Sequence, residues 1–264
     1  MYSSGWQPDL PDGRDYGIDH EKVSKILTDK PLPTKVDLSE WCSPVENQGK
    51  IGSCTAHAGT SLLEWHHNKK YGEYKHLSRL FLYKVSRRLA HMTGNIGCYL
   101  RSTIGAMTVF GVCPEEYYLY DETKFDNEPD AFCYSFAKEY QALKYFRVDK
   151  HVTDKNELLN NIKITISSEL PLIFGFTTFP SLKNSVGGII PLPTKGERAT
   201  GGHAVMCVAY DDNTRLLKFK NSWSNKWGDN GFGYLPYEYV LSGMTADWWA
   251  ISDLEWLDTD EFRR

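Results

Sequence analysis

A change in the hydrophobic pattern near residue 142 limits the folds that this chain can adopt. Before that point, apolar residues recur every three or four positions, which is typical of helices. After it, short segments rich in β-branched and aromatic residues alternate with turn residues, which is typical of antiparallel strands. The chain has 264 residues, enough to bury a large core. We therefore predict an α+β fold with a helical lobe, a β lobe and a cleft between them.

Four helices are predicted in the first half of the chain and one in the second. The first begins at Ser53, a suitable N-cap residue, and the last begins at Asp154, another suitable cap. The helices are expected over residues 53–71, 76–92, 101–111, 129–140 and 154–169. Strands are expected over residues 142–149, 171–179, 203–210, 215–222 and 231–236, with a hairpin turn at 211–214.

The first 34 residues differ from the rest of the chain. They are rich in proline and aspartate, and only residues 21–27 resemble a short helix. Their aromatic residues and isoleucines favour packing on the body of the protein over the alternative, a disordered tail. We therefore separate an N-terminal extension, residues 1–34, from a main domain, residues 35–264. Within the main domain, the helical lobe is expected at roughly residues 45–141 and the β lobe at roughly residues 142–255.

Composition and charge exclude several classes of partner. The formal net charge is −4 and the basic residues form no cluster, so a nucleic-acid surface is not expected. The longest apolar runs are too short to span a bilayer, and no signal peptide is visible at the start. The six cysteines are dispersed without a Cys-x-x-Cys pair. We therefore expect no metal site, no cofactor, and mostly reduced, buried thiols.

Cys54 is the strongest candidate for a chemically reactive residue. It lies where the first helix is expected to begin, and the N–H groups and dipole of a helix N-terminus stabilise a thiolate. A nucleophilic thiol needs a base and a group that orients the base. His203, which opens a strand after two glycines, is the best base, and Asn221, at the end of the next strand, is the best orienting group. Gln48 carries an amide that can donate to an oxyanion.

Each of these residues also has an ordinary structural interpretation, such as a core histidine or a turn asparagine, but the combination is specific. His203 and Asn221 follow Cys54 by 149 and 167 residues, and a spacing of about 130–150 residues is typical of papain-type enzymes, so the second spacing is slightly long. The sequence resembles the papain-like cysteine peptidase family in four stretches: VENQGKIGSC, NIGCYLRS, GGHAVMCVAY and FKNSWSNKWGDNGFGYLP.

The resemblance implies a two-lobe fold, with a helical lobe, an antiparallel β-barrel-like lobe and the active site in the cleft between them. It implies Cys54 as the nucleophile and His203 as the acid–base. It also implies Asn221 as the orienting group and Gln48 in the oxyanion hole. The substrate-binding residues that it implies are Gly97, Cys98, Tyr99, Leu100, Gly202, Ala204 and Trp223. The pocket for the second substrate residue is expected to accept an apolar or aromatic side chain.

The sequence departs from the family pattern beside the nucleophile. Ile51 stands where a cysteine is usual, so the usual disulfide to the stretch around Cys98 cannot form and Cys98 is expected to be free. This difference slightly favours a reducing compartment and a cytoplasmic location. Thr55 replaces an aromatic residue that usually follows the nucleophile. The disulfide state of four other cysteines stays open: Cys42, Cys113, Cys133 and Cys207.

We expect a cysteine endopeptidase that cleaves protein or peptide substrates through a thioester acyl-enzyme. The alternatives are a transpeptidase or amide ligase that uses the same residues, and a catalytically silent homologue that binds peptides. The presence of all four catalytic groups disfavours the silent homologue. Residues 1–34 are shorter than the family's usual inhibitory pro-region. We expect them to lie along or near the cleft as a short pro-segment that limits access.

Overall fold

The computed structural model describes residues 5–255. The α-helices in this range are α1 (Glu21–Ser24), α2 (Cys54–Tyr71), α3 (Arg79–Leu89), α4 (Leu100–Val109), α5 (Ala131–Ala137), α6 (Lys155–Ser167) and α7 (Tyr237–Leu241). The strands are β1 (Trp6–Gln7), β2 (Lys35–Asp37), β3 (Cys98–Tyr99), β4 (Gln141–Arg147), β5 (Leu172–Thr178), β6 (Gly201–Asp211), β7 (Leu216–Lys220), β8 (Phe232–Pro236) and β9 (Thr245–Glu255). Within the described range, none of the helices is long and apolar enough to cross a membrane.

Helix α2 is the central element of the helical lobe. Residues 54–65 are all buried, so this part of the helix is enclosed on every side. Close packing requires a glycine, because a Cβ on Gly59 would lie 2.8 Å from Thr103 and 2.9 Å from Met107 in α4. The helix ends at Gly72, whose φ of 70° is the left-handed conformation that glycine adopts at little cost.

The β lobe is built on one antiparallel sheet. Its strands run in the order β4–β9–β5–β6–β7–β8, and β2 pairs with β6. Residues 202–210 of β6 are all buried, because the strand lies within the sheet and packs on α2. The helical lobe and the antiparallel sheet thus meet where α2 crosses β6, and the predicted α+β fold with two lobes is confirmed.

All five predicted helices and all five predicted strands are present, but strand β9 was not predicted from the sequence. This strand lies between β4 and β5, inside the sheet. Its pairing with β5 shifts register between Ile173 and Gly175, and Asp247 has a φ of 60°. The shift interrupts the two-residue alternation that makes a strand recognisable in a sequence. The irregularity therefore explains the missed strand.

A buried ionic network connects the two lobes. Glu64 of α2 accepts hydrogen bonds from Ser43 (2.6 Å) and from Arg79 of α3 (2.8 Å). Lys220, the last residue of β7, donates to Ser43 (2.6 Å) and to Ser61 of α2 (3.0 Å). All five side chains are buried. The network therefore ties α2 to β7 across the boundary between the lobes.

We expect Glu64→Ala to lower the free energy of unfolding by about 3–5 kcal/mol, because it leaves buried cations without their carboxylate partner. Urea denaturation followed by tryptophan fluorescence measures this change. Glu21→Ala is the control, since the Glu21 side chain is 79% exposed and its ion pair with Lys25 lies on the surface. If both substitutions had the same small effect, the network would not stabilise the lobe boundary.

Candidate active site

Cys54 is the first residue of α2 and is fully buried. The preceding residue, Ser53, is in the N-cap position but makes no side-chain cap hydrogen bond to the helix. Its hydroxyl instead hydrogen-bonds that of Tyr120 at 2.7 Å. The helix N-terminus therefore keeps N–H groups that no side-chain cap satisfies, and these groups favour an anion at Cys54.

The structure brings His203 and Asn221 together, and their hydrogen bond defines the tautomer of the histidine. Asn221 Oδ1 accepts the backbone N–H of Ser222 at 2.8 Å, which identifies this atom as the amide oxygen. The same oxygen lies 2.8 Å from His203 Nε2, so Nε2 must carry the proton. In the neutral ring, Nδ1 then carries a lone pair. Among residues 5–255, no group hydrogen-bonds this buried Nδ1 atom.

Aromatic rings enclose the imidazole of His203. Trp223 stacks on it with a centroid distance of 4.3 Å and an interplanar angle of 19°. Phe176 of β5 meets it edge-on at 5.6 Å. These rings exclude water from the bond between His203 and Asn221, which strengthens that bond. Trp223, which was predicted from the sequence to bind substrate, thus packs directly on the predicted acid–base.

Gln48 is held beside the start of α2 by its own hydrogen bonds. Its amide nitrogen donates to the Ile51 carbonyl at 3.1 Å, and its amide oxygen accepts the Ser222 hydroxyl at 2.6 Å. The side chain is fully buried. The bond from Ser222 orients the amide with its nitrogen toward the loop that precedes Cys54.

Burial shifts the ionisation of both reactive groups toward their neutral forms. It raises the pKa of the Cys54 thiol to about 11 and lowers the pKa of His203 to about 4. Backbone groups of Gly5 and Ala204 lie within reach of the thiol and partly oppose its shift. Ala204 directly follows His203 in β6, so the packing of α2 on this strand places the thiol beside the strand that carries the histidine.

The backbone of residues 5–7 lies in the cleft beside the thiol. The N–H of Gly5 donates to the Gly202 carbonyl at 3.1 Å, and the N–H of Cys98 donates to the Gly5 carbonyl at 2.8 Å. Strand β1 pairs in parallel with β3, which joins Gln7 to Tyr99. The first described residues of the N-terminal extension therefore bind to groups that were predicted from the sequence to bind substrate.

The other predicted substrate-binding residues differ in their surroundings. Gly97 has a φ of 80°, and a Cβ there would overlap the Gly5 carbonyl, so only glycine fits. Cys98 turns a fully buried thiol away from the surface while its N–H binds the segment. Leu100 and Ala204 are buried in the core, and Tyr99 is half-buried. The backbone of these residues, more than their side chains, contacts the segment.

The indole ring of Trp6 fills a slot in the β lobe, which we call the indole slot and define by Gly175, Gly202 and Asp247. A Cβ on either glycine would overlap the ring. The ring N–H donates to Asp247 Oδ2 at 2.9 Å. Trp6 is 7% exposed and Asp247 1% exposed. The ring is therefore bound by shape and by one hydrogen bond to a buried carboxylate.

Charged residues surround the carboxylate of Asp247. Arg147 donates to its Oδ1 at 2.6 Å, and the backbone N–H of Asp9 donates to its Oδ2 at 2.8 Å. The carboxylate of Asp9 accepts the ring N–H of Trp249 at 3.0 Å. Burial, followed by the nearby Asp9 carboxylate, raises the pKa of Asp247 to about 7. Asp247 was not identified from the sequence, although a single aspartate between apolar residues in TADWWAIS is a signal for a buried polar role.

Two further properties concern metal ions and disulfides. No group of side chains in the described range could hold a metal ion. All six cysteines are free thiols, and Cys42 is the only partly exposed one.

The helical lobe, the antiparallel sheet and the buried thiol at their boundary define a thiol protease. The family profile described as papain family cysteine protease matches residues 32–246. The chain therefore belongs to the papain family of cysteine proteases, and it is a hydrolase of that family.

Individual relatives support this assignment. A peptidase C1-like protein of Acanthamoeba polyphaga mimivirus is 34% identical over 226 residues, covering 83% of this chain and 72% of that protein. Peptidase 1 of Euroglyphus maynei is 25% identical over 228 residues, covering 83% of this chain and 65% of that protein. The crystal structure of xylellain, a cysteine protease from Xylella fastidiosa, matches with a TM-score of 0.82 and 34% identity, covering 95% of this chain and 96% of that chain.

We expect the Cys54 thiol to react slowly with iodoacetamide at pH 7, because burial raises its pKa to about 11 and leaves little thiolate. Trp6→Ala removes the ring that holds residues 5–7 in the cleft, so it should accelerate labelling roughly tenfold or more. Peptide mapping by mass spectrometry measures labelling at each cysteine.

Cys207 is the internal control for this experiment. It is also fully buried, but it lies in the middle of β6, and its pKa is raised to about 12. Its labelling should stay slow in both proteins. Equal labelling rates of Cys54 with and without Trp6 would show that the segment does not protect the thiol.

Proposed function

We propose that this protein is a cysteine endopeptidase in which Cys54, His203 and Asn221 act together. The observation that carries the proposal is the unbonded lone pair on His203 Nδ1. A buried nitrogen without a hydrogen-bond partner is costly, and a catalytic role is one reason for a protein to keep such an atom. Because Asn221 holds the proton on Nε2, Nδ1 is the atom that can accept the proton of the Cys54 thiol.

The reaction follows from these positions. The Cys54 proton passes to His203 Nδ1, and the thiolate attacks the carbonyl carbon of the scissile peptide bond. The tetrahedral oxyanion binds the backbone N–H of Cys54 and the amide of Gln48. His203 then protonates the leaving amine, and a thioester remains on Cys54. Finally, His203 takes a proton from water, the hydroxide attacks the thioester, and the carboxylic acid leaves as the thiol is restored.

Acyl transfer to an amine would use the same residues, and product analysis separates the two reactions. The enzyme is incubated with a peptide substrate and an excess of a small amine, and the products are identified by mass spectrometry. We expect the free carboxylic acid as the main product. A dominant amide product would identify a transpeptidase or amide ligase.

We further propose that the N-terminal segment, defined as residues 5–15, inhibits the enzyme by filling its cleft. Gly5 occupies the backbone groups of Gly202 and Cys98, which a substrate would need. Arg101 donates to the Leu10 carbonyl and to the Asp15 carboxylate, which holds the far end of the segment on α4. The burial that this segment causes also disfavours the charged thiolate.

We expect Trp6→Ala to raise the peptidase activity of the full chain. Removal of a buried indole costs about 3–5 kcal/mol, which would weaken binding of the segment by more than about a hundredfold. A fluorogenic peptide assay measures the rate. Leu10→Ala is the matched control from the same segment, because the Leu10 side chain is 70% exposed and its loss should change little. If Trp6→Ala left the activity unchanged, the segment would not inhibit the enzyme.

In the Trp6→Ala background, we expect Gln48→Ala to lower kcat by about 10²–10³, because one oxyanion donor is lost. Cys54→Ala should abolish activity, since no nucleophile remains. Gln48→Glu keeps the oxygen that accepts the Ser222 hydroxyl but removes the amide donor. It should therefore be at least as slow as Gln48→Ala, and its unfolding temperature should fall, because a carboxyl group then faces the Ile51 carbonyl in a fully buried site. An unchanged kcat in both variants would remove Gln48 from the mechanism.

A further inference from the structure

We propose that three residues outside the catalytic set form a hydrogen-bonded relay that positions both donors of the oxyanion hole. The three positioning residues are His57, Ser53 and Tyr120, and we call them the oxyanion relay. This inference rests on the peptidase function proposed above, in which the donors are the Gln48 amide and the backbone N–H of Cys54. The relay acts on these donors through the backbone carbonyl groups of Gln48 and Ser53.

The hydroxyl of Tyr120 joins the residue of one donor to the start of α2. It donates to the Gln48 carbonyl at 2.9 Å and lies 2.7 Å from the Ser53 hydroxyl. A carbonyl oxygen can only accept, so the single hydroxyl proton of Tyr120 points to Gln48. The Ser53 hydroxyl must therefore donate to the Tyr120 oxygen. One phenol group thus ties Gln48 to the residue that precedes Cys54.

His57 acts on the second donor from within the first turn of α2. Its Nδ1 atom lies 3.1 Å from the Ser53 carbonyl and 3.3 Å from the Ser53 hydroxyl. Burial lowers the pKa of His57 to about 3, so the ring is neutral at pH 7 and carries one proton. Because the carbonyl accepts, that proton is on Nδ1. The Ser53 carbonyl belongs to the same peptide group as the Cys54 N–H, so this bond fixes and polarises the N–H donor.

The hydrogen bonds of the relay all run in one direction. His57 donates to Ser53, which donates to Tyr120. Tyr120 in turn donates to Gln48. Hydrogen bonds in such a chain polarise and strengthen one another. The relay also explains why the Ser53 hydroxyl makes no cap bond to α2, since its proton is used by Tyr120.

The loop that carries Tyr120 is itself fixed to the loop that carries Gln48. The buried carboxylate of Glu115 accepts the backbone N–H of Tyr120. Glu122 accepts the backbone N–H of Lys50, which lies between Gln48 and Cys54, at 2.7 Å. The ring of His57 packs edge-on against Tyr120 at a centroid distance of 5.2 Å. The phenol is therefore held on several sides, as a group that positions others requires.

The first test removes one hydroxyl from the relay. In the Trp6→Ala chain, Tyr120→Phe deletes the bonds to Gln48 and Ser53 and keeps the ring. We expect kcat to fall about tenfold or more, because small displacements of catalytic donors are costly. KM should stay within about twofold, because oxyanion donors act mainly in the transition state. A fluorogenic peptide assay measures both constants.

Tyr210→Phe is the matched control for this substitution. The Tyr210 hydroxyl also joins a carbonyl to a serine, with Pro33 O at 2.7 Å and the Ser167 hydroxyl at 2.9 Å. It follows His203 by seven positions in β6, which is roughly 23 Å along the strand. Both substitutions should lower the unfolding temperature, but only Tyr120→Phe should lower kcat. Equal kcat values in the two variants would overturn the proposal.

Two substitutions test whether His57 acts through its Nδ1 proton. Asparagine carries an N–H donor at the same place in its side chain as Nδ1, and leucine carries none. In the Trp6→Ala chain, His57→Asn should keep kcat within about threefold, whereas His57→Leu should lower it about tenfold. KM should change little in either variant. Equal losses of kcat in both variants would remove His57 from the relay.

A binding measurement separates this inference from the peptidase function. The probe is acetyl-phenylalanyl-glycinal, a peptide aldehyde. The Cys54 sulfur adds to the aldehyde carbon, the thiol proton moves to the oxygen, and that oxygen takes the place of the oxyanion. In the Trp6→Ala chain, we expect Tyr120→Phe to weaken the aldehyde about tenfold. Alkylation of Cys54 by iodoacetamide forms no oxyanion, so its rate should change by less than about twofold.

The outcomes of this measurement are distinct. If no peptide is cleaved but Tyr120→Phe weakens the aldehyde and Tyr210→Phe does not, the peptidase function fails and the oxyanion relay stands. Unchanged aldehyde affinity in Tyr120→Phe would refute the relay whatever the activity. A parent chain that binds no aldehyde would also refute it, because there would be no oxyanion hole to position.

Discussion

The packing of helix α2 on strand β6 is the constraint on which the active site depends. The helix begins at Cys54, and the buried part of the strand begins beside His203, so one contact between the two lobes places two elements that are far apart in the chain side by side. Because Gly59 has no side chain, the helix can pack closely against Thr103 and Met107 of α4. The ionic network of Glu64 and Lys220 holds the helix against the sheet.

The same burial creates a conflict for catalysis. A thiolate and an imidazolium need water or compensating charges, but Cys54 and His203 lie in a site where burial favours their neutral forms. The N-terminal segment lies against the thiol, and a backbone group of Gly5 partly opposes the effect of burial on the thiol pKa. Its position links access of substrate to ionisation of the nucleophile. Departure of one segment would open the cleft and let solvent stabilise the charged pair.

Much of this architecture could be predicted because it depends on local patterns. The helical periodicity after Ser53 and the glycine at its end define α2. The apolar run after His203 defines β6. Strand β9 could not be recognised, because the bulge at Asp247 breaks its alternation. The indole slot also could not be predicted from the sequence. Trp6 and Asp247 are separated by 241 positions and come into contact only in the folded protein.

The sequence by itself determined the family, the division into a helical first half and a mainly β second half, and the chemical types of the four predicted catalytic residues, because these depend on short motifs and local hydrophobic periods. Only the tertiary structure decided that Asn221 holds the proton on His203 Nε2, that Gly5 of the N-terminal segment pairs with Gly202 and Cys98, and that a buried carboxylate closes the indole slot. The physical reason is that each of these features is a contact between distant parts of the chain. The geometry of such a contact depends on how the two lobes pack, and no local sequence pattern encodes that packing.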